Sequence, residues 1–484
     1  MNENNTEMTN CEHSDESQSL DHVRQTRREK LAHLRELGIN PYPYSFSYSH
    51  SVKSVLSDFE QLIKDEKVVK IAGRISAMRP MGKTAFLHIT DEGEKIQVYF
   101  KREDFPEKFW EVFKLLDIGD IIGVKGTLFL TKTGEKTVRV ISFVLLSKNL
   151  RPLPAVKETE EKVYYKWEDK EARYRQRTVD LILNKESRDK LLMRSKITLE
   201  IRKFMESEGY IEVETPILQP LYGGASAKPF TTHYNALDHT FYLRIADELY
   251  LKRLIAGGIN RVYEIGKVFR NEGISRLHSP EFTMMECYAS YQDYHYCADF
   301  IERLFSKLAL EIVGNGEISF EGYKINLESP YERVTMADLV RDKCGVEIIN
   351  RNRDELAEEV AKLGIPVDKS WGVGKIIDEL FSEKIEPTLV QPTFVFDYPI
   401  ELSPLAKIHR SIPGLVERFE LFVGGLEIAN SFSELNDPID QRVRFEEQVR
   451  LRSAGDEEAH PIDEDFLESL EYAMPPTGGY WSGD

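Results

Sequence analysis

The sequence predicts an α+β chain: a small closed β-barrel, then a larger domain of antiparallel strands that carries a helical insertion. Three observations carry this. Five short β-type runs fall between residues 66 and 150, separated by Gly, Asp and Lys turns. Beyond residue 190, helix signals alternate with period-2 strand runs. Between residues 351 and 386 the pattern turns helical and charged (NRDELAEEVAKLG, VGKIIDELFSEKI).

In chain order, residues 1–20 are polar and acidic and are expected to form a disordered tail. Residues 21–65 are a helical segment, with one helix over 21–37 stopped by Gly38 and the turn-rich NPYPY. Within it HVRQTRREKLAHLRE (22–36) is locally basic: either a solvated helix face or a nucleic-acid contact. VVKIAGRISAMR, AFLHITD, KIQVYF, IIGVKGTLFLT and TVRVISFVLLS, with a helical PEKFWEVFKLL among them, give residues 66–150 as a barrel of the OB type. Residues 151–190 read as a charged linker, and 191–484 as the large domain with its insertion at about 345–390. There are no internal repeats.

The 484 residues suffice for two or three domains, and 41 % hydrophobic content supports a sizeable core. No apolar run approaches the ~18 residues of a membrane span. The N-terminus lacks the apolar stretch of a secretory leader. Cys11, Cys287, Cys297 and Cys344 are scattered without CxxC spacing. That argues against a zinc site or a disulfide framework and fits a reducing cytoplasm. A formal net charge of −18 argues against a nucleic-acid partner only weakly, because the distribution of charge matters more than its sum.

Chemistry concentrates in two hairpins. In RVYEIGKVFRNEGISRLHSPEFTMMECY (261–288), two alternating runs flank a polar loop. Glu264, Gly266, Val268 and Arg270 share a face of the first run, and Phe282, Met284, Glu286 and Tyr288 share a face of the second. Polar groups there line a polar pocket, with Phe282 free to stack on a flat ring. The alternative is a surface ion pair of Arg270 with Glu272. In ERFELFVGGLEIANSFSELNDP (417–438), Gly424-Gly425 is a two-residue turn. It sets Phe422 opposite Glu427 and Glu420 opposite Ala429, so Glu420 and Glu427 are same-face neighbours, roughly 7–8 Å apart or less. A hard cation carrying phosphate oxygens would relieve their repulsion. The alternative is a solvated sheet face. Simple alternation turns Asn430 away, and for Asn430 to join this face the strand must bulge around Ala429.

In these residues the chain resembles the class II aminoacyl-tRNA synthetases, and their lysyl-tRNA synthetase subgroup. F-R-N-E (269–272), His278 and P-E-F-T (280–283) resemble motif 2. EGYIEVETPIL, with Pro216, resembles motif 1 of the dimer interface. GGASAKPF, LRIADELYLKRL, EFTMMECY and EIANSFSELNDP look like the lysine-specific set. The resemblance implies an antiparallel-sheet catalytic domain behind the OB-type barrel, with ATP, L-lysine and tRNA(Lys) as ligands, Mg2+ as cofactor and a homodimer as the assembly. It implies that Arg270 holds the α-phosphate and the substrate carboxylate. Glu272 and His278 would lie near the adenine and the pyrophosphate, Phe282 would stack on adenine, and Glu420 and Glu427 would hold magnesium. Gly224 and Glu248 would hold the lysine α-amino group. Glu434 and Tyr288 would hold its ε-ammonium, with Asn430 and Glu286 close by. An ammonium taken from water needs an anion and further acceptors, which Glu434 and a Tyr hydroxyl supply. In the barrel, Phe86 and Gln97 resemble the pair that stacks on and hydrogen-bonds the central anticodon base, and Arg74 a contact to the anticodon backbone.

Relatives continue after P-P-T-G-G (475–479) with roughly G-x-G-x-G-I-D-R, whereas YWSGD follows here. The expectation is a missing motif 3 arginine, a missing final strand and helix, an unpaired sheet edge, poor activity and lowered stability. One choice of codons for Tyr480–Asp484, read one base out of register, spells Ile-Gly-Leu-Gly-Ile, so these residues are read as an out-of-frame motif 3. Two other readings remain. One is a non-catalytic tRNA-binding paralogue. The other is an enzyme that attaches lysine-like groups to protein, which the barrel disfavours.

Overall fold

The computed structural model describes residues 4–154, 167, 169–225, 227–275, 278–369, 371–403, 405–453 and 461–483, giving backbone course alone for 4–19 and 451–453. Contacts divide the chain into two compact units, Met1–Leu191 and Leu192–Asp484.

The first unit opens on a helix spanning Asn4–Glu36, so the segment expected to be disordered is helical from residue 4. Its composition is that of a tail, yet no Gly or Pro interrupts residues 1–37, and only Gly38, at φ +72°, ends the helix. Five strands follow: β1 (Val68–Met81), β2 (Thr84–Asp91), β3 (Glu94–Lys101), β4 (Ile121–Leu130) and β5 (Lys136–Ser147). They close a barrel in the order β1-β2-β3-β5-β4. Period-2 alternation sends Ile71, Leu87, Val98, Val124 and Val138 into a fully buried core. Beyond residue 169, helices Lys170–Arg175 and Arg177–Leu183 and the start of Lys185–Ser207 occupy what reads as a linker. Asp169 starts the first by accepting from the amides of Glu171 and Ala172. Residues 155–166 of that stretch lie outside the described residues.

A buried ion pair fastens the barrel's ends. The Lys148 ammonium donates to Asp120 at 2.8 Å and to the Leu115 carbonyl at 2.8 Å, with both charged side chains fully buried. Asp120 also accepts from the amides of Asp117 and Asn149, each at 2.7 Å. The ammonium also pairs with Asp117 at 2.5 Å, so Asp120→Ala keeps a counter-ion for Lys148 but strands two buried amides. The expected loss is about 1–3 kcal/mol for each stranded amide, read as a lower urea midpoint for the barrel unit by circular dichroism. An unchanged midpoint would contradict it.

The second unit contains β6 (Ile211–Glu212), then β7 (Leu218–Gln219), β8 (Thr231–Tyr234) and β9 (His239–Leu243). The hairpin β10 (Arg261–Phe269) and β11 (Glu281–Ser290) comes next, then a ribbon of β12 (Glu317–Phe320) and β13 (Tyr323–Asn326). The remaining strands are β14 (Glu332–Thr335), β15 (Thr393–Pro399), β16 (Leu415–Val423), β17 (Leu426–Ser433) and β18 (Thr477–Gly483). The main sheet runs β14-β15-β16-β17-β18-β11-β10-β6. Only the outer pairs, β14 with β15 and β6 with β10, are parallel. Helix Tyr294–Val313 covers one face, where Phe300, Ile301 and Leu304 meet Phe394, Phe419 and Leu421. Helices Arg353–Lys362 and Val373–Lys384 lie between β14 and β15, within the expected insertion.

The expected loss of the final strand is not observed. β18 pairs antiparallel with both β17 and β11, so no sheet edge opens there. TGGYWSG still supplies what a central strand needs: Tyr480 buries its ring in the core, and Gly478 and Gly479 fit where side chains would collide.

Candidate active site

The β10–β11 register pairs Glu264 with Glu286, Gly266 with Met284 and Val268 with Phe282. The four residues of each run thus share a face across the hairpin. Arg270 leaves the end of β10, its amide bonded to the Pro280 carbonyl at 2.9 Å. Its guanidinium donates to the Ile245 carbonyl at 3.3 Å and lies 5.2 Å from the centre of the Phe282 ring. Desolvation presses the Arg270 pKa down, while the charges of Glu272, Glu286 and Glu427 oppose it. One arginine therefore feels acids from its own loop, from β11 and from β17. His278 is exposed, its Nδ1 2.8 Å from the Ser275 hydroxyl, and Glu272 is exposed on the same loop.

The β16–β17 turn places Gly424 and Gly425 at φ +65° and +72°, the left-handed pair that a two-residue turn requires. One pairing differs from expectation. Glu420 lies opposite Asn430, not Ala429, because the register shifts between Leu421 and Phe422. The extra residue is Ile428, and this bulge turns Asn430 onto the carboxylate face. Asn430 Nδ2 then donates to Glu420 at 3.0 Å and to Glu427 at 3.2 Å, bridging the two acids. Tyr398 donates to Glu420 at 2.8 Å, and Arg418 Nη2 pairs with it at 2.5 Å. Glu427 stays open to solvent, but the protein crowded round it, and secondly the Glu420 charge, raise its carboxyl. The oxygen donors are the two carboxylates, which suit a hard divalent cation that would offset their repulsion; the Asn430 Oδ1 faces away and accepts from Arg418 Nε at 3.2 Å. Among the described residues no cluster of three or more His, Cys, Asp or Glu has metal-holding geometry, so phosphate or water oxygens would have to complete its shell.

Beside these acids is a third group. Helix Glu248–Ala256 sets Glu248 and Lys252 one turn apart on its buried side. The fully buried Lys252 ammonium pairs with Glu248 and with Glu434. Glu286 accepts from the Tyr288 hydroxyl at 3.3 Å and from the Asp247 amide at 3.1 Å. Burial is the first cause raising the carboxyls of Glu248, Glu286 and Glu434; Lys252 pulls the first and last back down. A β-carbon at Gly224 would stand 3.0 Å from that of Glu248, so the chain at 224 lies directly on the acid. One at Gly479 would fall 2.2 Å from Glu434 Oε1 and 2.4 Å from the Tyr288 ring, so only glycine leaves this slot open. Pro216 lies outside the slot, its carbonyl accepting from Gln219 at 3.1 Å.

Lys252 is the residue that sequence reasoning missed. The signal was the Glu-x-x-x-Lys spacing in ELYLK, which by itself reads as an ordinary surface pair.

On the barrel, Phe86, His88, Gln97 and Tyr99 share one outer face: Phe86 pairs with Tyr99 and His88 with Gln97. The rings of Phe86 and Tyr99 lie 4.9 Å apart. Phe86 is thus not core, although Leu87 beside it is. Gln97 donates to Glu135 at 2.6 Å and accepts from the Thr137 hydroxyl at 2.8 Å, which fixes its amide orientation. Arg74 is on the same outer face but farther along it. It pairs with Thr90, four residues or roughly 13 Å along β2 from Phe86, and donates to the Gly119 carbonyl at 2.8 Å. Arg79 is the cation opposite Phe86.

The profile "tRNA synthetases class II (D, K and N)" matches residues 169–483, and "OB-fold nucleic acid binding domain" matches 69–146. The chain is 50 % identical over 472 residues to a "Lysine--tRNA ligase" of Carboxydothermus hydrogenoformans, covering 97 % of this chain and 94 % of that protein. The chain belongs to the class II tRNA synthetases of the D, K and N group. Two further relatives of this synthetase, from Listeria monocytogenes and Listeria welshimeri, are each 49 % identical over 463 residues and carry the same name. The synthetase has no helix among its described residues long and apolar enough to cross a membrane.

Proposed function

We propose that this synthetase is a lysine–tRNA ligase, activating L-lysine with ATP and transferring it to the 3′ end of tRNA(Lys). The observation that carries this is the buried carboxylate of Glu434, whose Oε2 pairs with Lys252 while its Oε1 has no hydrogen-bond donor among the described residues. A buried anion in that condition, walled by Tyr288 and opened by Gly479, is built to take an ammonium. Glu248 against Gly224 offers a second anion for the α-amino group. Arg270, between Phe282 and the acids, faces the substrate carboxylate and the α-phosphate, and Phe282 supplies a flat surface for adenine.

The lysine carboxylate oxygen attacks the α-phosphorus, forming the acyl–phosphate bond as the bond to pyrophosphate breaks. A ribose hydroxyl of tRNA then attacks the carbonyl and AMP leaves. These residues act by positioning and by charge neutralisation, with no covalent enzyme intermediate. Glu420 and Glu427, tied by Asn430, would hold magnesium, which when bound neutralises phosphate charge. ATP–pyrophosphate exchange should depend on lysine among the amino acids, and the protein should charge tRNA(Lys) from a mixed pool. Exchange driven by another amino acid would overturn the assignment.

The outer face of the barrel fits the anticodon loop: stacked aromatics beside a fixed amide suit an unpaired base. Phe86→Ala is expected to raise the KM for tRNA at least about tenfold while leaving ATP–pyrophosphate exchange unchanged. A parallel loss in both assays would contradict that division of labour.

Ile211, Ile217 and Leu218, which flank Pro216 in sequence, are exposed at 44 % or more, as are Leu192 and Leu199 on the helix before them. That apolar surface supports a homodimer. The unpaired Cys287, Cys297 and Cys344 suit a reducing cytoplasm.

A further inference from the structure

The slot assigned to the substrate's ammonium already contains one. Lys252 is held there by its helix, by Glu248 one turn before it, and by two rings: its Nζ lies 5.4 Å from the centre of Phe432 and 6.0 Å from that of Tyr288. It reaches Glu434 through Oε2 only, so the acceptor capacity of Oε1 is unspent.

We propose that Lys252 is a positioning and specificity-determining residue, a resident counter-ion that holds Glu248 and Glu434 as carboxylates before lysine arrives and leaves Glu434 able to accept the incoming ammonium. This rests on the lysine-pocket reading above. The groups facing Lys252 are Glu248 from its own helix, Glu434 beyond β17, and Tyr288 and Glu286 from β11. Asp247 and Glu264 behind them share Arg244. Glu248, Glu434 and Glu286 are three acids facing one lysine, so a second ammonium still finds an acceptor there. Without Lys252, two buried acids would face each other with no cation between them, and each would take up a proton at neutral pH. A protonated Glu434 neither attracts an ammonium nor accepts freely from one. A purely structural role fits less well, because a buried ion pair is often no more stable than a well-packed apolar replacement.

The test is calorimetric titration of L-lysine into wild type, Lys252→Met and Lys252→Arg, without ATP, between about pH 6.5 and about pH 9. In Lys252→Met the two acids bind protons more tightly, so lysine must displace them. The ratio of its Kd to that of wild type should be at least about tenfold near pH 6.5 and should fall steadily as pH rises. Lys252→Arg, which keeps a cation, should stay near wild type throughout. A ratio that does not change with pH marks a merely structural residue and overturns the proposal, as does unaltered binding by the Met variant. If Lys252→Met does not fold, Lys252→Gln removes the charge, keeps a donor and is read in the same way. Wild type that fails to bind lysine would instead overturn the pocket assignment itself, and this inference with it.

Discussion

Glu434→Gln should lower kcat/KM for lysine by roughly a hundredfold or more in ATP–pyrophosphate exchange, while the KM for ATP stays near its starting value. The reasoning begins with burial: the side chain is about 1 % exposed and faces Lys252, Tyr288 and Gly479. Replacing one partner of a buried charge pair costs about 2–5 kcal/mol, and each 1.4 kcal/mol is a factor of about ten. The amide keeps the shape and removes the charge, so the loss should fall on the ammonium and spare the nucleotide. Binding of 6-hydroxynorleucine, which has a hydroxyl in place of the ammonium, should change far less. Equal losses for both ligands would mean that Glu434 shapes the slot without reading charge.

Arg270→Gln should cut kcat for adenylate formation by about a hundredfold to a thousandfold, the usual range for removing one preorganised group that meets charge developing in the transition state. The guanidinium is held by the Ile245 carbonyl and the Phe282 ring, so the geometry is set before substrate arrives. Because the acids that hold its pKa up are Glu272, Glu286 and Glu427, removing the cation should also increase repulsion among them. Lysine and ATP should then both bind more weakly. Arg270→Lys keeps the charge but not the planar fork, and should recover only part of the rate. Full activity in Arg270→Gln would remove this arginine from the chemistry.

Much of this was legible from alternation. Period-2 patterning fixed which residues of 261–288 share a face, and the observed register agrees, because a strand whose other face is core cannot slip. The Gly424-Gly425 turn likewise set Phe422 against Glu427. Legibility failed where a local rule is broken by packing. The Ile428 bulge that sets Asn430 between two acids was legible only as a condition, the one under which Asn430 could share their face, because nothing in LEIAN by itself announces it. The helical course of residues 4–20 was hidden by a composition that favours disorder, and the strand at 477–483 by an unfamiliar sequence that still packs. Arg74 was placed from resemblance alone, and the register adds Arg79 as the cation directly opposite Phe86. Lys252 was invisible because a helical Glu–Lys pair looks the same in sequence whether it lies in water or at the centre of a pocket.

β18 acts as a gauge for the pocket. Its register is pinned by Tyr480 in the core and by two hydroxyls, Ser431 donating to the Gly479 carbonyl at 2.7 Å and Ser482 donating to that of Ile428 at 2.9 Å. Sliding the strand by one position would turn the tyrosine ring toward Glu434 and plug the space that a missing side chain now keeps clear. On the proposed assignment, amino-acid selection would be set partly by a strand that contributes to the slot nothing but a hydrogen atom.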